Sequence, residues 1–272
     1  MRIFPVIVFA CLANPWSAQA LAQAWFVADL GSAQEVPPNA SSATGFGRVT
    51  LNAAETVITV SVHYSGLSSN LSAGHIHAPA AIGVNGPVRF NLNPTTGATA
   101  GAVVNLSFAV TPAQVADLRN GLSYINLHTS NFPGGEIRGQ LLSSTPQTAL
   151  LSGAQEVPPN ASAGTGAGAV SINAASTQVL ATLSWSGLGG NAIAGHIHNA
   201  SAGANGPIVF DLAPDPGTSG TVVDALFSIT PAQVAALRSG QMYFNLHNAV
   251  FPNGAIRGQI AALDPVFSNG FE

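Results

Sequence analysis

The chain contains 272 residues, of which 47% are hydrophobic and only 7% are charged, and its formal net charge is −4. Soluble domains usually contain about a quarter charged residues, so the solubility of this chain depends on small polar side chains. All seven basic residues are Arg and they form no cluster, which excludes nucleic acids and anionic membrane surfaces as expected partners.

Residues 1–24 have the pattern of a signal peptide. A short positively charged start is followed by an apolar run over residues 3–13, which is too short to span a bilayer. A-x-A cleavage patterns end at Ala20 and at Ala24, and we favour the second. Cys11, the single cysteine, lies inside this segment, so the mature chain would form no internal disulfide. We therefore predict a secreted or periplasmic protein with no transmembrane segment in its mature part.

The rest of the chain repeats once. The blocks AQEVPP and AGHIH recur at an offset of 121 residues, and the blocks NLH and IRGQ recur at an offset of 119. A period near 120 residues is the length of a complete domain and is far longer than a solenoid repeat. We predict one domain at 25–143, a linker at 144–148, a second domain at 149–263 and a tail at 264–272.

Each copy reads as a series of short β-strands with one helix. In Thr56–Tyr64, apolar and small polar residues alternate, which is typical of a sandwich strand with one buried face. Thr111–Gly121 and Thr230–Gly240 each begin with a Thr N-cap followed by Pro, carry Gln at the capping-box position and end in Gly, which predicts a helix. The expected fold is all-β, with two tandem sandwich domains that each contain one short helix. The predicted strands of copy one are Gly47–Leu51, Thr56–Tyr64, Ala73–His77, Val88–Leu92, Val103–Ala109, Ser123–His128 and Glu136–Leu141.

Six of the seven histidines form two matching sets. Two members of each set stand at i and i+2 of one strand, so they project from the same face, and the third ends a later strand. Imidazole binds zinc and copper well, and three ligands leave an open coordination position. The alternative is a structural polar cluster satisfied by protein partners. The sets are His75, His77 and His128 in copy one, and His196, His198 and His247 in copy two.

The seventh histidine, His63, corresponds to Ser184 in copy two, which predicts a surface position in one copy alone.

One acid and one base occupy equivalent positions in each copy. Glu35 and Arg138 in copy one correspond to Glu156 and Arg257 in copy two. In a chain with so little charge, we expect either a buried Glu–Arg pair or a carboxylate behind a histidine ring, where it would fix the tautomer. No Ser-His-Asp spacing, phosphate-binding loop or pair of catalytic carboxylates is present in the sequence. We therefore predict no catalytic residue and no site for an organic cofactor.

These blocks resemble the CHRD domain, a family first delineated in chordin and found widely in secreted bacterial proteins. The matching segments are AQEVPP, the Gly-Leu after the long strand, GHIH, NGP, NLH and IRGQ, and they cover nearly all of residues 29–142 and 150–261. The resemblance implies a secreted bacterial protein in which each copy is an immunoglobulin-like β-barrel, distantly similar to copper–zinc superoxide dismutase. It implies no settled biochemical function.

The likeness to the dismutase extends to single residues. That enzyme has an H-x-H strand, a later strand-end histidine and an arginine near copper. Its bridging histidine, zinc-binding loop and disulfide have no counterpart in this sequence, so the resemblance implies at most a mononuclear copper or zinc site. The matching residues are His75, His77, His128 and Arg138 in copy one, and His196, His198, His247 and Arg257 in copy two.

We expect a non-enzymatic binding module with one candidate metal site in each copy. Its partner would be an extracellular protein or surface component, which the sequence does not identify. One alternative is a dismutase-like copper enzyme that uses Arg138 and Arg257 to attract superoxide. The other is a structural or adhesive protein that binds no metal.

Overall fold

The computed structural model describes residues 23–94 and 97–262. The predicted signal peptide up to residue 22 and the predicted tail at 264–272 lie outside the described residues. Ala24, after which we favoured cleavage, is the first residue of a strand and pairs with Leu51. No helix within the described ranges has the length and hydropathy that crossing a bilayer requires.

Domain one is a curved antiparallel sheet with one α-helix. Its elements in chain order are β1 (Ala24–Gly31), β2 (Thr44–Leu51), β3 (Val57–Ser65), β4 (Leu71–His77), β5 (Val88–Asn91), β6 (Gly101–Ala109), α1 (Pro112–Arg119), β7 (Tyr124–Thr129), β8 (Ile137–Gln140) and β9 (Leu142–Ser144). The strand order is β5-β4-β7-β8-β1-β2-β3-β6, and the short β9 pairs with β1.

Domain two repeats this architecture. Its elements are β10 (Gln147–Ser152), β11 (Thr165–Ile172), β12 (Gln178–Ser186), β13 (Ala192–Asn199), β14 (Ile208–Asp211), β15 (Gly220–Ser228), α2 (Pro231–Arg238), β16 (Met242–Asn248) and β17 (Ile256–Gln259). Its strand order, β14-β13-β16-β17-β10-β11-β12-β15, is that of domain one position by position. The prediction of two mostly β domains with one short helix each is confirmed, and each sheet approaches a closed barrel.

Local sequence signals account for these elements. Thr111 caps α1, and its side chain and that of Gln114 each bond to the other's backbone N–H, as the capping box predicts. Val115 and Leu118 are the buried helix residues that join α1 to the core. On β3 the residues predicted to be apolar and inward-facing are all buried: Ile58, Val60, Val62 and Tyr64.

Each domain has its own hydrophobic core, as expected for independent folding units. The segment between them is short, because β9 ends at Ser144 and β10 begins at Gln147, two residues before the boundary drawn from the sequence. His63 contradicts its predicted surface position. Its Nε2 atom lies 2.8 Å from the backbone oxygen of Asp224, because domain two covers this side of β3.

Candidate metal centre

Two neighbouring strands bring the three histidines of domain one together. His75 and His77 are alternate residues of β4, so both project from the same face. His128 lies near the end of β7, which pairs with β4 so that Ala73 faces His128 and His75 faces Asn126. The imidazole of His128 therefore stands beside that of His75 on the same face.

The ring nitrogens converge. One nitrogen from each of His75, His77 and His128 lies within 4.8 Å of the other two. His75 Nδ1 lies 3.0 Å from His128 Nε2. Domain two repeats the cluster, with 3.1 Å between His196 Nδ1 and His247 Nε2. The sequence-predicted residues are thus brought together in both domains, with nearly equal geometry.

Backbone carbonyls fix which nitrogen of two rings faces the centre. His77 Nδ1 lies 2.9 Å from the oxygen of Gly86, and His128 Nδ1 lies 3.1 Å from the oxygen of Pro133. A carbonyl only accepts hydrogen bonds, so both Nδ1 atoms carry the proton and both Nε2 atoms offer a lone pair. His128 Nε2 then accepts from His75 Nδ1, the nitrogen that His75 presents to the centre.

His77 Nε2 is the atom that most clearly suits a ligand. It is buried and has no hydrogen-bond partner within the described residues, and the same holds for His198 Nε2 in domain two. Buried polar atoms are usually satisfied by a partner. A lone pair left unmatched at the same position of both domains, beside two other imidazole nitrogens, fits a metal ion.

The three rings of domain one are held neutral. Burial, with a smaller contribution from the neighbouring His75 ring, lowers the pKa of His128 to about 4. Burial also lowers the pKa of His75, and the neighbouring His77 ring adds to this effect. The pKa of His77 is likewise lowered by burial, and the charge of Arg138 lowers it further. Neutral imidazole is the form that binds metal ions, so these rings remain available as ligands below the usual histidine pKa.

An aromatic column supports His77. The Tyr124 ring stacks on the His77 ring at 4.7 Å with an interplanar angle of 4°. The Arg138 guanidinium covers the opposite face of Tyr124 at 3.4 Å from the ring centre. The hydroxyl of Tyr124 accepts from the backbone N–H of Gly86, whose carbonyl holds His77. The column therefore fixes both the plane and the tautomer of one candidate ligand. His198, Tyr243 and Arg257 form the same column in domain two.

Arg138 does not form the expected ion pair with Glu35. The guanidinium donates to the oxygens of Ala81 and Val84 and to the Asn85 side chain. These contacts tie the loop between β4 and β5 to the sheet. The residue is only 1% exposed. The ion pairs among the described residues are Arg48–Asp224 and Arg119–Glu55.

The expectation that Glu35 lies behind a histidine ring is also wrong. Its Oε2 accepts from the Asn126 side chain at 3.2 Å. Backbone carbonyls occupy the Nδ1 positions of His77 and His128, and His75 Nδ1 faces His128 Nε2. Burial raises the pKa of Glu35 to about 7, against the opposing effects of Asn126 and Arg138. Glu156 is buried in the same way on Asn245, and burial raises its pKa to about 7.

Glu35 acts instead on the loop that holds His128. The carboxylate lies against Gly135, where a Cβ atom would meet Glu35 Oε1 at 2.7 Å and Asn126 Oδ1 at 2.6 Å. Gly135 adopts a φ of 136°, which L side chains rarely adopt. Two residues earlier, Pro133 provides the carbonyl that orients His128. The acid thus shapes the turn that fixes the third candidate ligand.

Sequence reasoning missed several of these residues. Tyr124, Asn126 and Gly135 recur in domain two as Tyr243, Asn245 and Gly254, and this repetition was the available signal. Asn126 belongs to the repeated NLH block, which was interpreted through its histidine alone. The roles of the three residues depend on contacts with distant segments.

The profile of the CHRD domain matches residues 26–141 and again residues 147–260. These two matches cover most of the chain and coincide with the two sheets. No curated protein matches the sequence.

Proposed function

We propose that this chain, which belongs to the CHRD domain family, is a secreted binding protein that holds one copper or zinc ion in each domain. The observation that carries the proposal is the buried, unpartnered Nε2 of His77, which lies beside the inward nitrogens of His75 and His128. The same arrangement recurs at His196, His198 and His247.

The cluster fits a metal after small ring movements. Three nitrogens at about 2.0–2.1 Å from a tetrahedral or trigonal metal lie roughly 3.3–3.6 Å from one another. In domain one, His75 Nδ1 and His128 Nε2 are 3.0 Å apart, and all three nitrogens lie within 4.8 Å of one another. The close pair must open slightly and no pair has to close by more than about 1.5 Å, which small rotations of imidazoles on fixed strands can provide.

The donor set favours copper or zinc over harder ions. All three ligands are imidazole nitrogens, which suit copper and zinc, whereas magnesium and calcium prefer oxygen ligands. Three protein ligands leave a fourth position for water or a ligand from a partner.

Binding is better supported than catalysis. The dismutase-like alternative needs Arg138 and Arg257 to attract superoxide from solvent, but both are 1% exposed and stack on tyrosine rings. A buried guanidinium that is hydrogen-bonded to a loop holds that loop in place and attracts superoxide from solvent only weakly. An extracellular protein or surface component remains the proposed partner, and an immunoglobulin-like arrangement of each sheet remains the proposed fold in detail.

Metal content tests the proposal directly. The exported protein, without a His tag, is loaded with copper or zinc, desalted and analysed by elemental mass spectrometry. We expect about two ions per chain, one after His77→Ala and none after His77→Ala combined with His198→Ala. His63→Ser is the matched control, because it removes a histidine outside both clusters and introduces the residue of the sister domain. Retention of two ions by the double variant, or no binding by the unmodified chain, contradicts the proposal.

A further inference from the structure

The two domains meet through a buried ion pair. Arg48 on β2 of domain one and Asp224 on β15 of domain two approach to 2.5 Å between Nη2 and Oδ1. The Arg48 side chain is 6% exposed and that of Asp224 is 0% exposed. Buried charges are costly unless they are paired and hydrogen-bonded, so the contact requires both domains to be in place.

Further contacts surround this pair, although Arg48 Nε and Asp224 Oδ2 have no hydrogen-bond partner among the described residues. Arg48 Nη1 donates to Thr182 Oγ1 at 3.0 Å, and the guanidinium lies 4.3 Å from the centre of the Trp25 ring. His63 Nε2 donates to the backbone oxygen of Asp224 at 2.8 Å. Thr182 also donates to the Asp224 carboxylate, at 3.2 Å. Three strands of domain one and two of domain two therefore contribute to a single polar network.

A second contact lies beside this network. The Asp29 carboxylate of β1 accepts from the backbone N–H of Ala175, in the turn between β11 and β12, at 3.3 Å. Burial raises the pKa of Asp29, although the hydrogen bonds from this turn oppose the rise. The turn of domain two thus covers part of the domain-one sheet.

The residues that form the ion-pair network differ between the two copies. Arg48 faces Ser61 across the sheet, and at the equivalent place Ala169 faces Thr182. The backbone φ angle is nearly the same at the acidic position, with 51° at Asp224 and 57° at its counterpart. The three side chains and their counterparts are Arg48 and Ala169, His63 and Ser184, and Asp224 and Asn105.

We propose that the two domains are dedicated partners, paired as one rigid body by the Arg48–Asp224 ion pair. Domain one has the arginine of this pair but not the aspartate, and domain two has the aspartate but not the arginine. Two copies of the same domain therefore could not form this ion pair. Buried polar contacts of this kind specify a pairing more than they add net stability. The network uses β1, β2, β3, β12 and β15, whereas the histidine clusters lie on β4, β7, β13 and β16. Pairing therefore holds the two proposed metal centres at a fixed separation.

Substitution by the residue at the equivalent position of the other copy tests the pairing, because that fold already accommodates the new side chain. Arg48→Ala, Asp224→Asn and the double variant each introduce the residue that the other copy already accommodates at that position. Small-angle X-ray scattering measures the radius of gyration of the full chain, and thermal unfolding measures its Tm. Arg119→Ala is the control, because it breaks the exposed Arg119–Glu55 pair within domain one.

Each single variant leaves one charge unpaired in the contact, so we expect a larger radius of gyration and a Tm lower by on the order of 10 °C. The double variant removes both charges, so its shift in Tm will not exceed that of the worse single variant. The control will match the unmodified chain. An unchanged radius of gyration in both single variants, or a double variant whose shift equals the sum of the two, overturns the proposal.

Discussion

Ionisation of Glu35 is predicted to destabilise domain one at neutral and alkaline pH. Burial raises the pKa of its carboxyl from 4.5 to about 7, and the side chain is 5% exposed with Oε1 unpartnered among the residues described. Because the folded-state pKa lies above the unfolded one, the folded state binds more protons between these values. The contribution of Glu35 to stability is therefore complete below pH 4.5 and is lost as the pH rises through about 7. The difference between 4.5 and about 7 corresponds to about 3 kcal/mol of folding free energy.

Glu35→Gln tests this reasoning. Glutamine still accepts from Asn126 but does not ionise, so we expect the variant to lose the pH dependence that Glu35 causes. The assay is urea unfolding at several pH values between 4.5 and 8. The free energy of unfolding of the variant, relative to that of the unmodified chain, should rise by about 3 kcal/mol between pH 4.5 and pH 8. Glu55→Gln, at an exposed site, controls for the loss of one negative charge. Parallel pH profiles for Glu35→Gln and the unmodified chain would refute the buried-carboxyl argument.

Two further predictions concern the ring tautomers and the turn beside the histidines. In the metal-free protein, His75 Nδ1 donates to His128 Nε2, and metal binding should move this proton to His75 Nε2. The measurement is ¹⁵N NMR of the metal-free and metal-loaded protein. An unchanged tautomer of His75 would contradict the assignment of Nδ1 as the ligand atom. Gly135→Ala should destabilise the protein by about 3 kcal/mol, because the Cβ would meet Asn126 at 2.6 Å and φ is 136°. Gly134→Ala, where a Cβ has open space, should change stability far less, and equal losses in urea unfolding would contradict the steric argument.

Local patterns were enough to predict much of the fold. The capping box of Thr111 and Gln114 acts within one helical turn, so its outcome does not depend on the rest of the chain. The alternation in β3 predicted its buried face, because successive side chains of a strand point to opposite sides. The same period placed His75 and His77 on one face, and the duplication identified His128 as their companion.

The contacts of the charged residues were not predictable in this way. Glu35 meets Asn126 across 91 residues of sequence, and Arg138 binds loop carbonyls that no side-chain pattern identifies. His63 is polar and unmatched in the second copy, which favours a surface position until the neighbouring domain is present. Such assignments depend on which segments meet in space.

The sequence by itself determined that one domain occurs twice, that each copy is mostly β, and that three histidines recur together, because these properties follow from periodicity and repetition along the chain. Only the tertiary structure decided which ring nitrogens face inward, because the Gly86 and Pro133 carbonyls that fix them come from loops. It also decided that Arg48 and Asp224 form a pair, because a buried charge obtains its partner from whichever surface excludes water from it.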